Sequence, residues 1–179
     1  MRFVSLVLLM MLFLFASCSL NYMKSAASED SVPEFVFNDA AFLRVEGGKK
    51  KAVIKASKLE QYKTDSVSFA ENASFKTYDD SGKEKALGKC VLISADIDNG
   101  IFVMLGNIEL DLPSDNIKII AESLKMNKKT EQIVSRSGSS VLLQKDGVEI
   151  SGKGFCASGA SKSYAFMQNV SGSIDTEDR

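Results

Sequence analysis

The chain has 179 residues, 45% of them hydrophobic and only two of them proline, which suits one globular domain with appendages and a core of its own. Lys and Arg number 22 against 23 Asp and Glu, and no basic run exceeds Lys49-Lys50-Lys51. That balance excludes a nucleic-acid partner, because such binding neutralises several phosphates at once. The absence of histidine excludes histidine-based acid–base, nucleophilic and metal-ligand chemistry, and no carboxylates pair at a recognisable spacing, so neither an enzyme nor a cofactor or metal site is expected.

The N-terminus reads as an address. Met1-Arg2 precedes an apolar run over residues 3–16, and small residues Ser17, Cys18 and Ser19 follow, the pattern of an export signal. The run is short for a bilayer-spanning helix, which needs roughly 20 apolar residues. Phe15-Ala16-Ser17-Cys18 resembles a bacterial lipoprotein signal, in which Cys18 would be the lipidated first residue of the mature chain. An uncleaved anchor extended through Leu20 and simple cleavage are the alternatives, and each directs the domain out of the cytoplasm. Residues 1–17 are thus signal or anchor, and residues 18–32, small and polar without periodicity, are a tether. The folded domain spans 33–174, and the charged residues 175–179 form a frayed tail.

Within the domain the spacing predicts strands. Phe35, Phe37, Phe42, Leu43 and Val45 form an extended apolar stretch closed by Gly47-Gly48, and Ala52, Ile54 and Ala56 alternate with Val53 and lysines. Val67, Phe69, Ala73 and Phe75 continue the pattern up to a turn at 79–82. Residues 89–111 then form a ribbon in which Val91, Ile93 and Ala95 alternate, Asn99-Gly100 turns the chain, and Phe102, Met104, Gly106, Ile108 and Leu110 alternate on the return. Pro113 ends that strand. Ile117, Ile120, Ala121 and Leu124 also fit helical spacing, with Ser114 or Asp115 as a cap, but a strand is preferred there on the repeat described next. Strands over 141–144, 148–154 and 164–170, with a hairpin turn at Lys145-Asp146-Gly147 and a looser one over 159–163, complete the β reading.

Glu71-Asn72-Ala73-Ser74, Gly106-Asn107-Ile108-Glu109 and Gln168-Asn169-Val170-Ser171 recur at intervals of one and then two units. Each is expected at the end of a strand. A strand-turn-strand unit used repeatedly would bury a continuous apolar face while leaving strands exposed at both ends, although ordinary sandwich regularity gives short matches of this kind too. Cys90 and Cys156 either form a bridge or remain two free thiols.

With these residues laid out, the chain resembles the LptC family within the wider LptA/OstA-like repeat group. The motifs that carry the resemblance are Val32-Pro33-Glu34-Phe35-Val36-Phe37, Ala56-Ser57-Lys58-Leu59-Glu60-Gln61-Tyr62 and Leu105-Gly106-Asn107-Ile108. Further on come Gly147-Val148-Glu149-Ile150-Ser151-Gly152-Lys153-Gly154-Phe155 and Tyr164-Ala165-Phe166 leading to Asn169-Val170-Ser171-Gly172. The resemblance implies an all-β, twisted, partly open antiparallel β-jelly roll behind an N-terminal hydrophobic signal or anchor helix. It implies a periplasmic protein held at the inner membrane that takes lipopolysaccharide or lipooligosaccharide from an ABC transporter of the LptB, LptF and LptG type. The glycolipid would pass to an LptA-like bridge joined through edge strands. A lipidated Cys18 would differ from the single transmembrane helix usual in that family.

Alternation nominates Phe69, Phe75, Ile93, Phe102, Met104, Ile108, Leu110, Ile119, Val141, Ile150 and Phe166 as residues lining an acyl groove, each equally readable as plain core. Gly152 matches the family glycine. Lys89, Lys118 and Lys153 are candidates to meet phosphates at a groove mouth, or ordinary solvated lysines. The other class of function compatible with these residues is a structural or assembly envelope lipoprotein of the same fold with a dry core.

Overall fold

A computed structural model describes residues 32–62 and 67–174. The expected signal or anchor, Cys18, the tether up to residue 31 and the tail lie outside the described residues. Among the described residues, no helix is long and apolar enough to cross a membrane.

The elements are β1 (Phe35–Glu46), β2 (Lys49–Gln61), β3 (Val67–Tyr78), β4 (Glu84–Asp96), β5 (Ile101–Leu112), β6 (Ile117–Asn127), β7 (Gln132–Ser135), β8 (Ser140–Lys145), β9 (Val148–Lys153), β10 (Cys156–Ser158), β11 (Ser163–Ala165) and β12 (Gln168–Ile174). They make one open antiparallel sheet in which β1 to β6 pair in chain order. Turn chemistry fixes the hairpins. Gly47 and Gly48, with φ of 57° and 74°, and Asp146 and Gly147, with φ of 50° and 78°, supply the paired left-handed residues of a two-residue hairpin. At 79–82, the Asp79 carboxylate accepts the backbone N–H groups of Ser81 and Lys83, each at 2.9 Å.

Residues 117–127 are strand. Pro113 opens a single 3-10 turn (Pro113–Asp115), Asn116 turns left-handed with φ of 52°, and β6 folds straight back along β5, pairing Leu112 with Ile117 and Leu110 with Ile119. The helical spacing of Ile117, Ile120, Ala121 and Leu124 has another origin. Ala121 and Leu124 are both buried three residues apart because the alternation slips by one residue between them, and Ile120 points outward.

That slip is general. Ala56 and Leu59 on β2, Ala70 and Ala73 on β3, and Cys90 and Ile93 on β4 likewise face the core three residues apart. The irregularities align across the sheet at one level. The left-handed residues Asp39 on β1, Asn72 on β3, and Gly106 with Asn107 on β5 lie there. The pairing of β5 with β6 shifts between Leu105 and Ile108, and that of β4 with β5 between Lys89 and Leu92. Neighbouring strands are tied at the level, with Asn72 Nδ2 donating to Ser57 Oγ at 3.0 Å and Ser57 Oγ donating to the Glu71 carbonyl at 3.1 Å. These are β-bulges, which bend a strand and sharpen its twist. Together they form a crease.

The crease divides the sheet into two wings. The first half of β6 pairs with β8 and the second half with β7. β8 then continues to β9 and β12, and β7 to β10 and β11. The bend is sharp on β1, where Phe37 and Phe42 lie on either side of Asp39. Five residues of straight strand would separate them by about 17 Å and point them to opposite faces. Their ring centroids are 5.3 Å apart, edge to face. The wings therefore fold toward each other around a shared inner face. The Asn72 and Asn107 motifs sit at this mid-strand crease rather than at strand ends, and the Asn169 motif opens β12, since Asn is one of the few residues that adopts the left-handed conformation without large cost.

Asn107 tests this account. Asn107→Gly should unfold in urea within about 0.5 kcal/mol of the parent protein, whereas Asn107→Val, β-branched at φ 47°, should lose about 1–2 kcal/mol.

Candidate functional site: an apolar cleft between two wings

Directly paired residues of adjacent strands share a face, so the inner surface can be followed strand by strand. In the first wing Phe37, Leu59, Ala70, Ile93, Met104 and Leu124 lie in one row. In the second, Phe42, Ile54, Phe75, Gly88, Leu110, Ile119, Leu143 and Ile150 do so. Ala56, Ala73, Cys90, Ile108, Ala121 and Val141 line the crease between them.

Packing is unequal along these rows. Met104, Ile108, Leu110, Ile119, Leu124, Val141 and Leu143, on β5, β6 and β8, are all buried, and Phe155 joins them from the bend between β9 and β10. Phe166 packs on Phe155 with centroids 5.2 Å apart. Ser135 ties that bend down, its N–H donating to the Phe155 carbonyl at 2.8 Å and its hydroxyl accepting the Phe155 N–H at 2.9 Å. At this end Lys145 on β8 also approaches the Tyr164 ring on β11, 5.8 Å from its centroid, so the wings meet.

Toward β1 the interior opens. Leu59, Ile54, Phe75 and Ile93 lie mid-sheet on the inner face, yet all stay half-buried, because little packs on top of them. The crease there is lined by the small side chains of Ala56, Ala73 and Cys90. At the outer end Phe35, Phe37 and Phe42 are 49%, 40% and 37% exposed, and form a chain of touching rings. The site is thus an apolar cleft, closed by a packed core at the β5–β9 end and open, with an aromatic rim, at β1.

Most of the nominated groove residues share this inner surface, in different states. Phe75 and Ile93 face the open interior and are half-buried; Phe102, also half-buried, pairs with Ala95 and Met126 on the inner row of β5. Met104, Ile108, Leu110, Ile119 and Val141 are closed core, while Ile150 and Phe166 flank that core and remain partly accessible. Phe69 does not belong with them. Its neighbours across the strands are Glu60 and Ser94, and it stacks edge-on against Tyr62 at 5.6 Å on the outer face. The slip between Ala70 and Ala73 puts Phe69 and Phe75 on opposite faces although their spacing is even. Val91, exposed at the crease, likewise leaves the face of Ile93 and Ala95. Gly152 faces inward under the Phe166 ring; a Cβ there would lie 2.8 Å from Phe166 Cδ1.

The lysines nominated for a groove mouth are on the outside. Lys89 pairs with Glu109 at 2.9 Å and Lys118 lies 3.9 Å from the same carboxylate, on the face opposite Leu110. Lys89, chiefly through its hydrogen bond, holds the Glu109 carboxyl below the usual range. Lys153 follows the inward Gly152 and so points outward. A hollow of about 710 Å³ lies around the Pro113–Asp115 and Lys145-Asp146-Gly147 turns, where Asp111, Lys118, Asp146 and Glu149 give it mixed charge and Leu112 and Ile117, which pack against the core, line its inner side. The rim residues Phe35, Phe37 and Phe42 were absent from the nominated set, although their clustering in one short segment was a visible signal.

Cys90 and Cys156 are free. Cys90 lies on the inner face at the crease of β4, and Cys156 on the outer face of β10, four strands further along the sheet. Burial pushes the Cys90 thiol up to about 11.

No protein-family model and no curated protein matches the sequence. Among solved structures, the chain is similar to the crystal structure of LptH, the LptA-homologous periplasmic component of the lipopolysaccharide transport device of Pseudomonas aeruginosa. The identity is 9% and the TM-score 0.35, over 83% of this chain and 99% of that one. So loose a superposition adds nothing to the cleft, which stands on the residues of this chain.

Unequal packing predicts unequal mutational cost. Leu124→Ala, in the closed half, should lose about 2–5 kcal/mol of unfolding free energy, and Ile54→Ala, in the open half, about 1 kcal/mol. Iodoacetamide at pH 8 should modify Cys156 in the folded protein and Cys90 only after denaturation, read by peptide mass. Because the raised Cys90 value favours the neutral thiol when folded, its contribution to stability is full below about 8.5 and declines as pH rises toward 11.

Proposed function

We propose that this protein is a periplasmic component of lipopolysaccharide or lipooligosaccharide transport that holds acyl chains of the glycolipid in the open part of its cleft. The observation that carries the reading is the row of large apolar side chains left half-buried on an inward face, ending in the exposed ring cluster Phe35, Phe37 and Phe42. A soluble domain rarely leaves such a surface without an occupant. A dodecanoyl chain has on the order of 10 kcal/mol of gross burial to gain there. Moving between two such clefts without crossing water removes that barrier, and no covalent chemistry is required of the protein.

The motif resemblance and the export-type sequence of the N-terminus support a place between an ABC transporter of the LptB, LptF and LptG type and an LptA-like bridge. Attachment to the inner membrane would be through a lipidated Cys18 or an uncleaved helix. Edge strands offer the means of joining, since β1 pairs with β2 alone, β11 with β10 alone and β12 with β9 alone among the described residues. Gly152, as the family glycine, belongs to the closed end of the same cleft.

The packed β5–β9 core favours a second reading, a structural or assembly envelope module of the same fold. A photo-activated phenylalanine analogue separates the two. Placed at Phe42 or Phe102 it should capture the glycolipid in cells, whereas at the outward-facing Phe69 it should capture none. Absence of capture at Phe42 and Phe102 while an LptA-like partner is labelled would overturn the transport reading. Depletion that strands glycolipid in the inner membrane would exclude the structural one.

A further inference from the structure

Gly88 lies in the middle of β4, on the inner row between Phe75 of β3 and Leu110 of β5. Its backbone is ordinary strand, without the positive φ that requires glycine at positions 47, 100 or 147. Glycine in a strand interior weakens the strand and gives the sheet no side chain to pack, and it often marks a close approach by another group. Here the group is identifiable. A Cβ on Gly88 would lie 2.3 Å from Cζ and 2.5 Å from Cε1 of Phe75, so the phenyl ring lies flat across the β4 backbone, in the space where a side chain would otherwise stand. A ring laid flat does not project into the interior. Phe75 touches the core along one side and remains half-buried, with the rest of its surface turned to the open cleft.

Phe166 covers Gly152 in a comparable way, but that ring is stacked on Phe155 at the closed end and fills space there. The Phe75–Gly88 pair lies at the boundary between the open and closed parts. Beyond it, Leu110 and Ile119 are buried. Resting on the reading of the cleft as an acyl site, we infer that Phe75, held down by Gly88, is the floor of that site and sets the length of acyl chain it accepts. The terminal carbons of the chain lie on the flat ring. Raising the ring shortens the site, and removing it lengthens the site toward Leu110.

The test uses the full chain in detergent and two fluorescent probes, dansyl-labelled dodecanoic and hexadecanoic acids. Gly88→Ala forces the ring upright, because a side chain and the flat ring cannot share the same volume. Affinity for the hexadecanoyl probe should fall about tenfold more than affinity for the dodecanoyl probe, the equivalent of two methylenes expelled from the site. Phe75→Ala should move the ratio the opposite way, and Phe75→Ala/Gly88→Ala should restore the hexadecanoyl affinity lost in Gly88→Ala. If Gly88→Ala does not fold, Phe75→Ala, which leaves the backbone untouched, decides by the same ratio. Unchanged ratios in variants that still bind both probes would overturn the inference and leave the acyl site standing. A parent protein that binds neither probe would overturn the acyl site itself.

Discussion

The structure depends on one constraint, a line of slipped and left-handed residues that crosses every long strand at the same level. A twisted sheet this wide has no second layer to pack against. The crease supplies one by folding the sheet upon itself, so that two halves of the same strands become the two walls of a core. Asp39, Asn72 and Asn107 provide the positive φ on the alternate long strands β1, β3 and β5, with Gly106 beside Asn107 where a side chain would collide with Val91. The intervening strands accommodate by shifting phase, as with Ala56 and Leu59 or Ala121 and Leu124. Local backbone chemistry thus decides which residues meet across the interior, and hydrophobic burial follows from it.

From the crease the two ends diverge because their side chains differ in volume. Ile108, Val141, Leu143 and Phe155 fill the angle between the wings near β8 and β9, whereas Ala56, Ala73 and Cys90 leave it wide near β2 to β4. The long strands break beyond β6, at the bends 136–139, 154–155 and 166–167, and there Phe155 and Phe166 turn in to seal the end. The same fold therefore holds a dry core and an accessible cleft side by side, without a domain boundary.

Much of this was legible in the sequence. The ribbon over 89–111 and the turns at Gly47-Gly48, 79–82 and Asp146-Gly147 follow from period-two spacing and turn residues, and the strand nature of 117–127 from the internal repeat against a local spacing that also fits a helix. What alternation could not convey is a phase slip inside a strand. Phe69 and Phe75 have the right parity for one face, and only the irregularity between them sends Phe69 outward to Tyr62. Helical spacing over Ile117, Ala121 and Leu124 was the same slip seen without its cause. The Asn repeat was detectable as a pattern, but its meaning, a bulge in mid-strand, required knowing which residues turn left-handed. Burial was the least legible property, since Met104 and Phe102 share a face and a spacing and differ only in what the opposite wing sets above them.

The unequal filling of the angle has a consequence for how the protein loosens. Opening free energies in a native protein follow local burial and contact density. Amides of β5, β6 and β8, beneath Ile108, Leu124 and Val141, should exchange most slowly, whereas those of β1, exposed along nearly its whole length and paired on one side, should exchange first. Protection is therefore expected to fall from the core strands toward β1 on one side and toward the exposed edge strands β11 and β12 on the other. The sheet can change its width at one end at little cost to the rest.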